Sequence, residues 1–541
     1  MVAKLSDEDI WRLNRGGHDP HKVYAAYARA VKSQGKPVVI LAKTVKGYGL
    51  GAAAEARNPA HQTKELDIES LKQMRDRFKL PLTDEQVERV EYYRPPEDSP
   101  EMRYMHERRK ALGGYLPQRR DEAPPLPIPS LDVFAPLLQG SGEREMSTTM
   151  AFVRALTLLL RDKSIKDRIV PIVPDEARTF GMEGMFRQLG IYSAAGQKYE
   201  PVDKDQVVAY KESRDGQILE EGINEAGAMS SFIAAGTAYS TLGINMIPFY
   251  IFYSMFGFQR VGDLCWLAGD IQAKGFLIGG TAGRTTLNGE GLQHEDGHNL
   301  LHASTVPNCV SYDPCFAYEM AVIIHNGLER MFARNEKVYY YITAMNENYA
   351  HPPMPEGVEE GIIKGMYRLR EGAKRKKLRV QLLGSGTILR EVLAAAEMLE
   401  TEHNVAADVW SVTSFTELRR EALDCDRYNL LHPTETPRVS YVERCLADAK
   451  GPAVAATDYM RSYADQIRAW VGRRYWVLGT DGFGRSDTRE RLRDFFEVDR
   501  RWVTVAALKA LADEGEIEAA KVKAAIEHYG IDPEKPNPVT V

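Results

Sequence analysis

Ile247 to Gly279 reads IPFYIFYSMFGFQRVGDLCWLAGDIQAKGFLIG. Ile247 to Tyr253 reads as a strand, Phe258 to Gln272 as a helix and Gly275 to Gly279 as a second strand. The same alternation extends outward on both sides. Upstream, Ser147 is placed as an N-cap before the apolar face Phe152, Leu156, Leu159 and Leu160, which leads into a strand over Ile169 to Val173. Ile223 to Tyr239 is again helical in pattern. Downstream of the basic stretch Lys374 to Lys377 come a strand over Leu378 to Leu383, a helix from Ile388 to about Glu400, and a strand over Tyr475 to Leu478. Such alternation predicts an α/β fold: several domains in tandem, each a mostly parallel sheet wrapped by helices. Ligands of such folds bind beyond the carboxyl ends of the strands.

The first ninety residues are read differently. Val38 to Leu41 is predicted as a buried strand, preceded by a helix with Tyr24, Tyr27 and Val31 on one face and followed by the glycine-rich turn Lys46 to Gly51. One strand cannot make a sheet covered on both faces, so its neighbours are expected to be missing. Tyr93 to Pro100 and Asp121 to Pro129 are proline-dense and are read as one long extended linker.

At 541 residues the chain is expected to form three or four domains. Seventy Lys and Arg against 76 Asp and Glu leave a net charge of -6, which gives no electrostatic pull toward nucleic acid or an anionic membrane. Five cysteines without a Cys-x-x-Cys pair argue against a disulfide framework or a structural zinc site and favour a reducing, cytoplasmic setting. The N-terminus lacks the character of a signal or transit peptide, and the most apolar stretch is too short to span a bilayer.

Single motifs are ambiguous. Gly47, Gly49 and Ala52 fit a dinucleotide-binding spacing, but Pro59 interrupts the helix that such a loop requires. His294, Glu295 and His298 fit His-Glu-x-x-His, yet a glycine and an extra acid sit inside the motif, so a polar loop reaching an active site is the better reading than zinc. Glu225, near a helix start, could simply face the helix dipole. Asp175 and Glu176 follow a strand end, where a solvated loop acid is as common as a functional one. Phe256 beside Gly257 is suited to cover a flat ligand ring. His61 falls in a glycine-bounded segment, where a histidine is either exposed or delivers acid/base chemistry.

Taken together, Asp175 to Gly181 (DEARTFG), Gln217 to Glu225 (QILEEGINE), Tyr253 to Arg260 (YSMFGFQR) and Thr285 to His298 (TTLNGEGLQHEDGH) resemble the homodimeric pyruvate dehydrogenase first component over essentially the whole chain. The resemblance implies a transketolase-like architecture with thiamine diphosphate between subunits. On it, residues 1–92 are a remnant of the diphosphate-binding domain with an active-site loop, 93–144 a linker, 145–345 the pyrimidine-binding domain and 346–541 the C-terminal domain. Glu225 matches the glutamate that hydrogen-bonds the aminopyrimidine ring, where a desolvated carboxyl can share a proton with a ring nitrogen. Ile223 matches the apolar support of the bent cofactor, and Phe256 the aromatic on its pyrimidine. His294 and Tyr253 match groups that position pyruvate. Asp175 and Glu176 resemble an acidic network between cofactor sites, and Lys46 a lysine near the diphosphate. Glu55 and His61 match a closing loop, with His61 assisting acetyl transfer to the lipoyl group of dihydrolipoyl acetyltransferase.

The family's Gly-Asp-Gly motif, which holds Mg2+ at the diphosphate, does not occur in the sequence. Its ligands are expected in an N-terminal region that this chain lacks, together with the acetyltransferase-docking region, so weak or absent cofactor binding by the chain alone is expected. A fragment, a split-gene product and an internal start are equally compatible with this. The alternatives are a catalytically incomplete dimerising partner and, more distantly, a transketolase-type enzyme.

Overall fold

A computed structural model describes residues 3–12, 16–115, 121–174, 177–202, 204–205 and 208–541, with residues 11 and 12 as backbone only. The chain divides into residues 1–118 and 119–541.

Residues 119–541 are built on two open sheets. The first has six strands in the order Leu219–Glu220, Ile169–Val173, Ile247–Tyr253, Phe276–Gly280, Tyr339–Thr343, Cys309–Tyr312, and every pairing is parallel. The second has five in the order Met366–Arg370, Val405–Val412, Leu378–Gly384, Ala453–Ala456, Tyr475–Leu478. Only its Met366–Arg370 edge is antiparallel. Strand Ile247–Tyr253 shows why no alternation is visible in its sequence. Phe249 and Ile251 join one core and Tyr250 and Phe252 the other, so both faces are covered by helices and apolar side chains suit every position. Ser147 caps Thr148–Leu159 as expected, its Oγ accepting the Met150 N–H at 3.1 Å.

Residues 1–118 contain the helices Pro20–Ala30, Ile68–Phe78, Asp84–Glu88 and Pro100–Ala111. Two expectations fail here. Val38 to Leu41 is not a strand: Val39 and Leu41 are 80% and 92% exposed. A strand needs a neighbour for its backbone hydrogen bonds, and the described residues supply none. Nor is 93–144 one extended linker. Pro100 opens a helix at its first turn, where a missing N–H costs nothing, and Ser99 Oγ accepts the Met102 N–H at 3.3 Å. Farther on, within residues 119–541, the Leu126 N–H bonds the Phe332 carbonyl at 2.9 Å, and Leu126 and Ile128 pack on the core. Those prolines hold an extended segment against the protein rather than away from it.

The two sheets are joined by a buried charge cluster. Glu347 accepts from Arg390 Nη1 at 2.6 Å and from both terminal nitrogens of Arg493, whose side chain is almost wholly buried. Arg493 also lies 3.5 Å from Glu391, which binds Arg500 at 2.9 Å. Burial disfavours a charged Glu347, but the hydrogen bonds and charges of Arg493 and Arg390 outweigh it and hold the carboxyl below its ordinary value. Glu347→Ala leaves Arg493 buried without its main partner. A loss of about 3–5 kcal/mol in urea unfolding is the expected outcome, and a change under about 1 kcal/mol contradicts this reading.

Candidate functional site

After Tyr253, the last residue of its strand, the chain turns through Ser254–Phe256 into the helix Phe258–Asp270. Gly257 permits this turn, because a Cβ there would lie 2.1 Å from the Phe252 ring. The turn sets the Tyr253 and Phe256 rings 5.9 Å apart with His294 against both, stacked on Tyr253 at 4.8 Å and edge-on to Phe256 at 5.3 Å. The Arg260 guanidinium sits 4.0 Å over the Phe256 ring and donates to Glu225 Oε1 at 3.0 Å. Glu225 is the first residue of the helix Glu225–Gly236, which Asn224 caps by accepting the Gly227 N–H at 3.0 Å. Glu225, Phe256, Tyr253 and His294 therefore form one continuous cluster. The Glu225 side chain is 12% exposed, and a guanidinium reaches it from the neighbouring helix. Ile223 stands 72% exposed in the turn before that helix.

His294 belongs to a loop anchored on the C-terminal half. Its neighbour Glu295 accepts the Arg485 N–H at 2.6 Å. Buried Asp296 accepts the His298 and Asn299 N–H groups at 2.9 and 3.0 Å and the Ser254 hydroxyl. Arg284 donates to the carbonyls of Thr480 and Gly482, and the Thr285 N–H bonds the buried Asp458 carboxylate at 3.1 Å. The two acids of the His-Glu-x-x-His stretch thus fix backbone on two separate segments. Among the described residues no group of three or more His, Cys, Asp or Glu side chains is arranged to hold a metal ion.

Lys46, Glu55 and His61 lie in residues 1–118. The glycine-rich turn is real, with Gly47, Gly49 and Gly51 at φ of 71°, 88° and 72°. The Lys46 carbonyl accepts the Ala56 N–H at 2.9 Å, and its side chain is exposed. Glu55 accepts from the Gly49 N–H at 3.2 Å and from Arg77 Nη1 at 2.5 Å. His61 ends the short helix Asn58–His61, exposed. Asp175 and Glu176 lie outside the described residues.

Residues 126–352 match the family model described as pyruvate dehydrogenase E1 component middle domain, and residues 365–499 match the transketolase-like C-terminal domain. The chain is 62% identical over 543 residues to the pyruvate dehydrogenase E1 component of Cupriavidus necator, covering 100% of this chain and 61% of that protein. Identity to the Pseudomonas aeruginosa protein of the same name is 63% over 540 residues, with the same coverage, and to that of Escherichia coli K12 it is 59%, covering 99% and 60%. Over its whole length the chain is homologous to pyruvate dehydrogenase E1 components. It spans about 60% of the length of these relatives. Among solved structures, transketolase from Campylobacter jejuni superposes with a TM-score of 0.61 at 16% identity, over 91% of this chain and 66% of that one. Transketolase from Leishmania mexicana gives 0.58 at 15%, over 91% and 65%. These likenesses show the transketolase-like fold.

The sequence reading missed Arg260, Arg284 and the anchoring roles of Glu295 and Asp296. Arg260 was open to detection, since it follows Phe256 by four residues at the start of a helix. Glu295 and Arg284 were not, because their partners lie about 190 residues away.

The buried Glu295 carboxyl is pushed up from 4.5 to about 7 by desolvation, only partly offset by the Arg485 N–H. A raised acid stabilises the fold fully below its unfolded value and loses that contribution as pH rises through about 7. Glu295→Gln keeps an acceptor for Arg485 and cannot ionise. Its melting temperature relative to the parent is expected to rise between about pH 5 and about pH 8. Parallel curves for the two proteins would refute the assignment.

Proposed function

We propose that this chain contributes the pyrimidine-binding and C-terminal parts of a thiamine-diphosphate- and Mg2+-dependent pyruvate dehydrogenase. In this reading it works as a homodimer, oxidatively decarboxylating pyruvate and acetylating the lipoyl group of dihydrolipoyl acetyltransferase. The observation that carries the reading is the single cluster of Glu225, Phe256, Tyr253 and His294 at the carboxyl end of a parallel strand. The cluster fits the pyrimidine end of the cofactor, because a flat apolar ring stands beside a carboxylate able to bond a ring nitrogen. Thiamine diphosphate supplies, when bound, the electron sink for loss of carbon dioxide.

The residues divide the remaining work. Phe256 would pack on the pyrimidine of the cofactor, and Ile223 would support the cofactor from the apolar side. Glu225 holds the proton at the ring nitrogen, and Arg260 sets the direction of its carboxylate. His294, held flat against Tyr253, bonds the carboxylate or carbonyl of pyruvate. Lys46 offers positive charge to the diphosphate, while Asp175 and Glu176 link the two sites of the dimer. Glu55 and His61 belong to the loop that closes over the site, and His61 moves the proton during lipoyl acetylation. A second reading is a dimerising partner without catalysis of its own.

In a preparation that turns over pyruvate, Glu225→Gln is expected to lower carbon dioxide release by about 10²–10⁴-fold with unchanged circular dichroism. A variant as fast as the parent removes the proposed engine. His61→Ala is expected to spare carbon dioxide release and to cripple acetylation of a lipoyl domain, and equal loss in both assays contradicts its role. Thiamine diphosphate titrated by calorimetry in the presence of Mg2+ is expected to bind the chain alone weakly at most, and tight, metal-dependent binding contradicts this.

A further inference from the structure

A cavity of about 660 Å³ opens in the C-terminal half, away from the aromatic cluster. The strand Val405–Val412 and the segments 368–381 and 444–450 form its walls. Its base is fixed by buried Asp408, which accepts the Gly372 N–H at 2.8 Å, Arg379 Nη1 at 2.6 Å and Gln381 Nε2 at 2.8 Å. Both carboxylate oxygens are engaged, and Arg379 balances the charge. The loop carrying the lysines is pinned a second time at Glu400, whose carboxylate takes Arg370 at 2.7 Å and whose carbonyl takes Lys376. Trp410 lies in the wall, and its Nε1–H bonds Gln381 Oε1 at 2.9 Å, which fixes the plane of the indole.

The cations around this base are largely unspent. Among the described residues Arg368, Lys377 and Lys450 have no carboxylate within 4.0 Å, and Lys374 has only Glu371 at 3.8 Å. Glu371 and Asp448 are the remaining rim acids. Holding four like charges around one concavity is unfavourable without a counter-charge, and it occurs in a chain whose net charge is -6. The volume suits a small molecule rather than a polymer, and the cations suit an anion of two or more charges.

We propose that this cavity binds a diphosphate group, with Lys377, Lys450 and Arg368 on the phosphates and Trp410, 6% exposed, as a rigid part of the wall. None of these residues belongs to the cluster around Glu225, so the proposal stands or falls independently of the catalytic reading.

Isothermal titration calorimetry of the full chain with ADP and with inorganic pyrophosphate, without Mg2+, tests it at low and at physiological salt. One-to-one binding of both ligands with similar affinity is expected, weakened by salt. Lys377→Ala and Lys450→Ala should each weaken binding about fivefold, and Lys523→Ala on a distant helix should not. No heat with either ligand, unchanged affinity in the Lys377→Ala, Lys450→Ala double variant, or binding of heparin alone would overturn the proposal.

Discussion

The strand Ile247–Tyr253 is hydrogen-bonded to parallel neighbours on both edges and packed on both faces, so chemistry cannot leave it until Tyr253. A parallel strand buried in this way has one outlet, its carboxyl end, where the chain must turn toward a helix. The glycine at 257 makes that turn tight enough to set Phe256 and Arg260 beside the N-terminus of the neighbouring helix, on which Glu225 sits. The cluster is therefore a consequence of sheet burial followed by a turn that a side chain at 257 would block.

A second requirement is that His294 be held still. It ends the short 3-10 turn Leu292–His294 in a connection between a strand and a helix, and such a segment gains order by bonding something rigid. The rigid element here is the second sheet. Arg284, Thr285 and Glu295 bond the segments after Ala453–Ala456 and Tyr475–Leu478, and the Met460 N–H reaches back to the Gly297 carbonyl at 2.9 Å. These bonds lie in a dry interior where each counts for more and an unmade one costs more. Among the described residues Glu295 Oε1, Arg284 Nε and His294 Nδ1 have no hydrogen-bond partner, although Glu290 Oε2 lies 3.5 Å from the histidine nitrogen. The C-terminal half thus serves the site as its support.

Much of this was legible in advance because it is local. Strands Ile247–Tyr253 and Tyr475–Leu478 occupy the residues read for them, and the Ser147 cap is where a serine before an apolar helical face should be. Strands Val405–Val412 and Ala453–Ala456 escaped notice, the second being four small residues whose burial comes from neighbours and not from their own bulk. Val38 to Leu41 failed in the opposite sense. Its β-branched residues favour extension, and extension without a paired neighbour is not a strand. Pro100 misled because proline excludes helix interiors but not their first turn.

The sequence by itself determined the α/β class and the tandem sheets, and its resemblance to the pyruvate dehydrogenase first component named Glu225, Tyr253, Phe256 and His294 as candidates. Each of these is carried by periodicity or by a contiguous motif. Tertiary structure alone decided that Arg260 bridges Phe256 to Glu225, that Glu295 and Asp296 anchor backbone, and that a lysine-rich loop closes on Asp408 into a cavity. The physical reason is sequence separation. A hydrogen bond such as Arg485 N–H to Glu295 joins groups 190 residues apart, and no local pattern of size, charge or period encodes a partner at that distance.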